Sequence, residues 1–276
     1  MITYLGVCGW PVAHSRSPQM HNAALAAVGL DGWRYLRLPL PPELFAETVR
    51  ALPAAGFRGV NVTIPHKHAA LALADAATDA AREIGAANTL TFEDGGIHAD
   101  NTDAPGLLAA LGEPVAGRRA LVLGAGGAGR AAAWALSRAG ADVSVWNRSP
   151  ERARELAASL GVRAAAGWEE ADVVVNCTSV GLHDAEATFK ALPVGADEMG
   201  AGSLVVDMVY RAGGTRFLEA ARTRGARVVD GLEILVAQGA ASFERWTGRQ
   251  APRVAMREAA KPSPSHESAS TDRGTA

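Results

Sequence analysis

A short apolar run, Arg-Ala-Leu-Val-Leu at 119–123, ends directly in Gly124-Ala-Gly-Gly-Ala-Gly129, and an alanine-rich stretch then continues to residue 139 before Gly140. Few folds accommodate that succession. A strand that stops at one glycine and a helix that opens on others form the first unit of a dinucleotide-binding βαβ motif. In that motif Gly124 makes the tight turn, Gly126 lets a pyrophosphate approach the main chain, and Gly129 permits close helix packing. Gly127 and Ala128 complete the loop, whose free N–H groups at the helix start favour an anion. In a chain with 30 glycines the pattern alone says little; its place between a strand and a helix gives it meaning.

The alternation continues on both sides of this loop. Downstream, the apolar pattern predicts strands over 142–146, 172–176, 204–208 and 227–229 and helices over 150–160 and 214–224, the spacing of a parallel doubly wound sheet with right-handed crossovers. Upstream it predicts strands over 2–8, 33–38, 59–63 and 88–92, helices over 18–28 and 43–52, a short helix from His66, a turn at Gly95-Gly96 and a helix over 102–111. The expected fold class is α/β: an N-terminal α/β substrate domain over 1–103 and a Rossmann-type doubly wound parallel-sheet domain over 104–231, with a cleft between them. A C-terminal helix is expected over 232–257. Its apolar stripe of Leu232, Leu235, Val236 and Phe243 is expected to pack back on the first domain. Residues 258–276, poor in apolar residues and rich in Ser, Pro and charge, are expected to be disordered.

Charge narrows the partners. Lys and Arg number 27 against 29 Asp and Glu, a net charge of −2, so no global field is available to hold nucleic acid or an anionic membrane, and a bound anion must be met locally. The expected partner is a small molecule, with a second copy of the chain as the one macromolecular candidate. Cys8 and Cys177 each lie in an apolar run predicted as a strand and far apart in sequence. Two isolated cysteines read as buried reduced thiols and not as a disulfide framework or zinc site, which fits the cytoplasm. The opening MITYLGVCGWPVAHS carries no basic segment, and no apolar run approaches the ~18–20 residues of a membrane span, so neither secretion nor insertion is expected.

Several polar residues sit where chemistry is done. At the end of the strand after the glycine loop, where an acidic residue would bind an NAD ribose, the chain has Asn147-Arg148-Ser149 and then Arg152. Two guanidinium groups there suit a 2′-phosphate, hence NADP; a solvated surface pair is the alternative. Ser15 and Ser17 sit at a turn into a helix opened by Pro18, available to a ligand or to helix capping, and capping is the use such residues favour on their own. In Asn61-Val-Thr63-Ile-Pro65-His-Lys67 a lysine falls at a helix start, where the dipole disfavours it and a reason is needed. Asn88 begins a strand, and Asp103 begins a helix at the junction of the two halves, where capping is an ordinary use. His66 and His68 flank Lys67 without a third ligand, so no metal is expected.

Together, GWPVAHSRSPQMHN, NVTIPHK, GAANTL, DNTD, GAGGAGR, NRS, NCTSVGL, DMVYR and DGLEILVAQGA resemble, in order, the motifs of the shikimate dehydrogenase family, over about residues 8–247. The resemblance implies an NADPH-dependent oxidoreductase that reversibly reduces 3-dehydroshikimate to shikimate in aromatic amino-acid biosynthesis. It implies Lys67 and Asp103 as the catalytic pair. Ser15 and Ser17 would hold the substrate carboxylate, Thr63, Asn88 and Gln238 its hydroxyls, and Tyr210 would close over it. Gly124 to Gly129, Asn147, Arg148 and Arg152 would form the NADP site, with Thr178, Met208 and Gly231 along the nicotinamide. Two departures stand out: Ala104-Pro105 follows Asp103 where the family often has glycine, and Glu233 occupies a position often small or apolar. Ser17, in place of a bulkier threonine, points away from quinate, and the retained Lys67 and Asp103 point away from a catalytically idle redox sensor.

Overall fold

The computed structural model describes residues 2–182, 184 and 187–261. The first half runs β1 (Thr3–Gly9), α1 (Ser17–Ala27), β2 (Trp33–Pro39), α2 (Pro42–Ala51), β3 (Phe57–Val62), α3 (Lys67–Leu73), β4 (Ala76–Ala77), α4 (Asp79–Ile84), β5 (Thr89–Glu93), β6 (Gly96–Asp100) and α5 (Asp103–Leu111). Its six strands form one sheet in the order β2-β1-β3-β5-β6-β4. β1 pairs in parallel with β2 and β3, whereas β3–β5 and β5–β6 are antiparallel. The turn expected at Gly95-Gly96 falls one residue earlier, at Asp94-Gly95, both at positive φ, and is the tip of a hairpin whose second strand the apolar pattern does not announce, because Gly-Ile-His-Ala-Asp alternates over only five residues.

The second half contains β7 (Arg119–Leu123), α6 (Gly127–Arg138), β8 (Asp142–Trp146), α7 (Pro150–Leu160), β9 (Arg163–Ala164), β10 (Val173–Asn176), α8 (Thr188–Ala191), β11 (Leu204–Asp207), α9 (Arg216–Thr223) and β12 (Arg227–Val229). Its sheet is ordered β12-β11-β10-β7-β8-β9, every pair parallel. In chain order this is the 3-2-1-4-5-6 arrangement of dinucleotide-binding sheets, with the reversal between β7 and β10. The strands are continuous apolar runs such as Val173-Val-Val175 and Leu204-Val-Val206 because both faces are covered. The glycine loop therefore leaves β7 at the switch point, where the chain departs to opposite sides of the sheet.

The last two helices are α10 (Gly231–Thr247) and α11 (Arg253–Ala260). The single helix expected over 232–257 is broken: Gly248 takes a left-handed conformation (φ 65°) and ends α10, and Pro252 precedes α11. α11 also reaches Ala260, so residues 258–260 are helical where disorder was expected; the rest of that expected tail, from 262, lies outside the described residues. Val236, Phe243, Trp246 and Met256 bury themselves with Leu5, Met20 and Tyr35 of the first half, so the C-terminal helices mainly extend the first core, while Ile234 of α10 reaches into the second. Cys8 is buried within β1, but Cys177 falls just past the end of β10 and is only half-buried, a correction to its placement inside a strand.

Candidate active site

Between the two sheets lies a cavity of about 220 Å³ lined from both halves: Ser15, Ser17, Asn61, Thr63, Lys67, Asn88 and Asp103 on one side, Ala128, Thr178, Met208 and Tyr210 on the other, with Gly231 and Gln238 of α10 between. Lys67 is the first residue of α3. Its helix start is anchored by His66, which is buried, stacks on Phe45 with centroids 4.3 Å apart, and donates from Nε2 to the Leu40 carbonyl at 2.7 Å. The lysine's unfavourable place at the helix dipole is offset by a carboxylate. Nζ donates to Asp103 Oδ2 at 2.5 Å, and both side chains are only 11% exposed. In so small an exposure the pair is screened far less than a surface salt bridge.

Asp103 opens α5 but does not cap it. The main-chain N–H groups of Asp103 and Ala104 are taken by Asn101 Oδ1 at 3.1 and 3.4 Å, which leaves the Asp103 carboxylate free to face the cavity. Its second oxygen accepts from Asn88 Nδ2 at 2.8 Å. Asn88 in turn also reaches Thr102 Oγ1 and Gln238 Oε1, and its own oxygen accepts from the Thr102 N–H at 2.7 Å. The Ala104-Pro105 departure leaves this geometry intact, because the close approach to α10 is made one residue further on: a Cβ at Gly106 would stand 2.7 Å from that of Gln238.

Ser15 and Ser17 are both buried, and α1 has no side-chain cap. Ser15 Oγ accepts from the Ser17 N–H at 3.3 Å, and the Ser15 carbonyl accepts from Arg37 at 2.7 Å, so the turn is held without using the Ser17 hydroxyl as a cap. Tyr210 approaches from the opposite half, its hydroxyl accepting from the Arg16 N–H at 3.4 Å. Burial raises the Tyr210 phenol and the Cys177 thiol above their ordinary ranges, so both meet the cavity as neutral groups.

Along the second half the contributions come from main chain. Gly124 has φ 110°, and a Cβ on Gly129 would lie 1.9 Å from the Gly124 carbonyl oxygen, so neither position tolerates a side chain. Gly126 differs: its φ of −82° suits any residue and a Cβ would meet no protein atom within 4 Å. Nothing in the protein demands glycine there, whereas a pyrophosphate lying against the main chain would. α6 has no side-chain cap, so its first N–H groups are left for an anion. Asn147 Oδ1 steadies the loop by accepting from the Ala125 N–H at 3.1 Å. Arg148 and Arg152 lie beyond it, exposed and outside the cavity; Gly124, Gly126, Gly129 and Asn147 also lie outside the cavity. These residues fit a dinucleotide carrying a 2′-phosphate.

Gly127 joins the two sides, since a Cβ there would stand 2.9 Å from Lys67 Cδ; the glycine loop is what lets the lysine stem pass. Asn61 is a cavity residue the sequence reading did not single out as a ligand. It is buried, accepts from the Tyr35 hydroxyl at 2.8 Å and donates to Ser242 Oγ at 2.9 Å. Its only advance signal is its position two residues before Thr63.

The chain matches the shikimate dehydrogenase substrate binding domain over residues 7–90, the shikimate/quinate 5-dehydrogenase family over 107–183 and the shikimate 5′-dehydrogenase C-terminal domain over 231–261. It is 47% identical to the shikimate dehydrogenase (NADP(+)) of Anaeromyxobacter sp. (strain Fw109-5), covering 91% of this chain and 93% of that one. It is likewise 47% identical to an enzyme of the same name from Thermus thermophilus, covering 92% and 96%. Among solved structures, a Thermus thermophilus shikimate 5-dehydrogenase in complex with NADP(H) and shikimate superimposes with a TM-score of 0.86 at 44% identity, covering 94% of this chain and 98% of that one.

Proposed function

The chain belongs to the shikimate dehydrogenase family, and we propose that it performs the family's reaction in the cavity between its two sheets, with Lys67 and Asp103 as the catalytic pair. It is an NADP-dependent oxidoreductase that interconverts 3-dehydroshikimate and shikimate, a step of aromatic amino-acid biosynthesis. NADPH, when bound, supplies the hydride for the 3-keto carbon. Lys67 Nζ gives its proton to the carbonyl oxygen in reduction and takes it back from the hydroxyl in oxidation. Asp103 Oδ2 holds Nζ in place, and Asn88 fixes the Asp103 carboxylate from its other oxygen.

Shikimate carries one carboxylate and three hydroxyls, so its recognition needs polar partners more than apolar area. Ser15 and Ser17 bind the carboxylate, Thr63, Asn88 and Gln238 the hydroxyls, and Tyr210 covers the ring from the second half. Gly124 to Gly129 take the pyrophosphate, Asn147, Arg148 and Arg152 the ribose with its 2′-phosphate, and Thr178, Met208 and Gly231 the nicotinamide. The substrate side is residues 1–103 with α10 and α11, and the cofactor side is 104–231. The free thiols of Cys8 and Cys177 support a cytoplasmic location. A homodimer is the assembly that would cover exposed Leu36 on the open edge strand β2, and light scattering reads it directly.

The observation that carries this reading is the 2.5 Å Lys67–Asp103 pair inside a cavity to which both halves contribute. Purified protein mixed with shikimate and NADP should raise absorbance in the reduced-nicotinamide band, with far less change for NAD. No rise with either nucleotide would overturn it.

A further inference from the structure

Asp207 ends β11 with its carboxylate fully buried, and the three groups that hold it are neutral. Thr215 Oγ1 donates to Oδ2 at 2.7 Å; Asn176 Nδ2 and the Val209 N–H donate to Oδ1 at 2.9 and 3.0 Å. Burial raises the carboxyl to about 6, above its ordinary range, so at neutral pH the chain keeps an ion where a neutral group would be less unfavourable. Strand pairing does not ask for this, since β10 and β11 are held by regular parallel pairing and by Val174 and Val205 in the core.

The hydrogen bonds lead to the cavity. Asn176 Oδ1 accepts from both the N–H and the hydroxyl of Thr178, at 3.1 and 2.7 Å, and Thr178 Oγ1 accepts from the Val180 N–H at 3.1 Å. The Asn176 carbonyl also accepts from the Met208 N–H at 2.9 Å. At the far end Thr215 caps α9 through the Leu218 N–H. One buried chain thus runs from the cap of α9 through Asp207 and Asn176 to two main-chain segments, 178–180 and 208–210, whose Thr178, Ser179, Met208, Val209 and Tyr210 line the cavity from the second half.

We propose that Asp207 is a positioning residue for hydride transfer, setting through Asn176 the course of the 178–180 and 208–210 segments that bracket the nicotinamide. The proposal rests on the reading that Thr178 and Met208 face the cofactor. Asp207 acts as an acceptor, and its charge is the consequence of having two acceptor oxygens. Asn176 Nδ2 and the Val209 N–H can only donate, so a side chain without an oxygen leaves two buried donors unpaired. Asparagine keeps Oδ1 for both and turns its amide toward Thr215 Oγ1, which can accept.

The test compares Asp207→Ala and Asp207→Asn with the wild-type chain in three measurements: NADPH binding followed by nicotinamide fluorescence, steady-state kinetics with protiated and deuterated NADPH, and thermal melting. Asp207→Ala should lower kcat about ten- to a hundredfold, weaken NADPH binding and raise the isotope effect on kcat, while KM for 3-dehydroshikimate moves little. Asp207→Asn should restore kcat and NADPH binding and melt at or above wild type. If Asp207→Ala does not fold, Asn176→Ser, which withdraws the amide from Oδ1, carries the same kinetic expectation. A wild-type chain that binds NADPH and turns over, beside a folded Asp207→Ala or Asn176→Ser variant with unchanged kcat, binding and isotope effect, overturns the proposal alone. Failure of Asp207→Asn to restore either quantity overturns it too, and a wild-type chain without NADP-dependent turnover overturns the reading beneath it.

Discussion

On the substrate side of the cleft, Asn61, Lys67, Asn88, Thr89, Thr102, Asp103, Gln238 and Ser242 are joined to one another by side-chain hydrogen bonds and are almost wholly withdrawn from water. On the cofactor side the glycine loop offers main chain alone, and the charged groups, Arg148 and Arg152, stand in solvent. A change on the first side leaves a buried partner unsatisfied, so its effects should be large and interdependent. A change at either arginine removes one solvated contact at a time, so its effects should be smaller, close to additive and sensitive to salt.

The largest effect sharpens the first half of that contrast. Lys67→Met should lower kcat by about 10²–10⁴-fold with far less change in KM for shikimate, the usual worth of a positioned proton donor. Asp103→Asn should be impaired to a similar order, and the double variant should fall well short of the summed losses because the two groups act on one proton. Steady-state kinetics of the three variants decides it. Full additivity would mean that the 2.5 Å contact carries no coupling and that the substrate side is not the interlocked unit described above.

Next comes the opposite expectation across the cleft. Arg148→Ala with Arg152→Ala should lower kcat/KM for NADP by about ten- to a hundredfold, each single variant accounting for part, while NAD changes little. Both guanidinium groups are exposed, so the wild-type preference should also shrink as salt rises. Measured kcat/KM for the two nucleotides at low and high ionic strength gives the answer. Equal use of NAD and NADP by the unmodified protein would return both arginines to the role of a solvated pair.

The contrast also explains what the sequence made legible. β7, β8, α7 and β12 match their expected bounds to the residue, because a glycine or proline stands at or within two residues of at least one end of each: Gly124, Gly140, Pro150 with Gly161, and Gly225 with Gly231. The first half is less regular: β6 alternates too briefly and α4 is six residues started by the Thr78 cap; at the far end of the chain only the last turn of α11, residues 258–260, reads as tail. At the site, residues inside local motifs, such as Lys67 and Asp103, could be named in advance. Asn61 could not be weighed, since the groups that orient it are Tyr35 and a serine 181 positions away. Nor could the Asp103 cap be decided until Asn101 was seen to take the helix N–H groups.

A subtler variant tests whether the first side needs its serines for ligand or for fold. Ser17→Ala should raise KM for shikimate about tenfold with kcat and melting temperature near wild type, because α1 has no side-chain cap to lose. A drop in melting temperature with unaltered kinetics would make Ser17 a structural residue and weaken the claim that substrate-side polar groups serve the ligand.

The smallest expected effect lies beneath the same network and concerns acid. His21 is fully buried, stacks on Tyr35 with centroids 4.3 Å apart, and among the described residues neither ring nitrogen has a hydrogen-bond partner. Tyr35 in turn donates to Asn61, so the ring supports the floor of the substrate side. Burial lowers its pKa to about 3. In the unfolded chain a histidine titrates near 6.5, so below that pH the unfolded state takes up a proton that the folded state refuses. Stability from this residue is therefore complete above about 6.5 and is lost as pH falls toward 3, by about 1 kcal/mol at a pH of about 6. His21→Phe keeps a stacked ring and removes the titration, so urea unfolding at about pH 8 and about pH 6 should show the wild type losing about 1 kcal/mol more than the variant. Equal losses in the two proteins would mean that His21 is hydrated or paired in the folded state, and that the substrate side is less dry than its hydrogen bonds require.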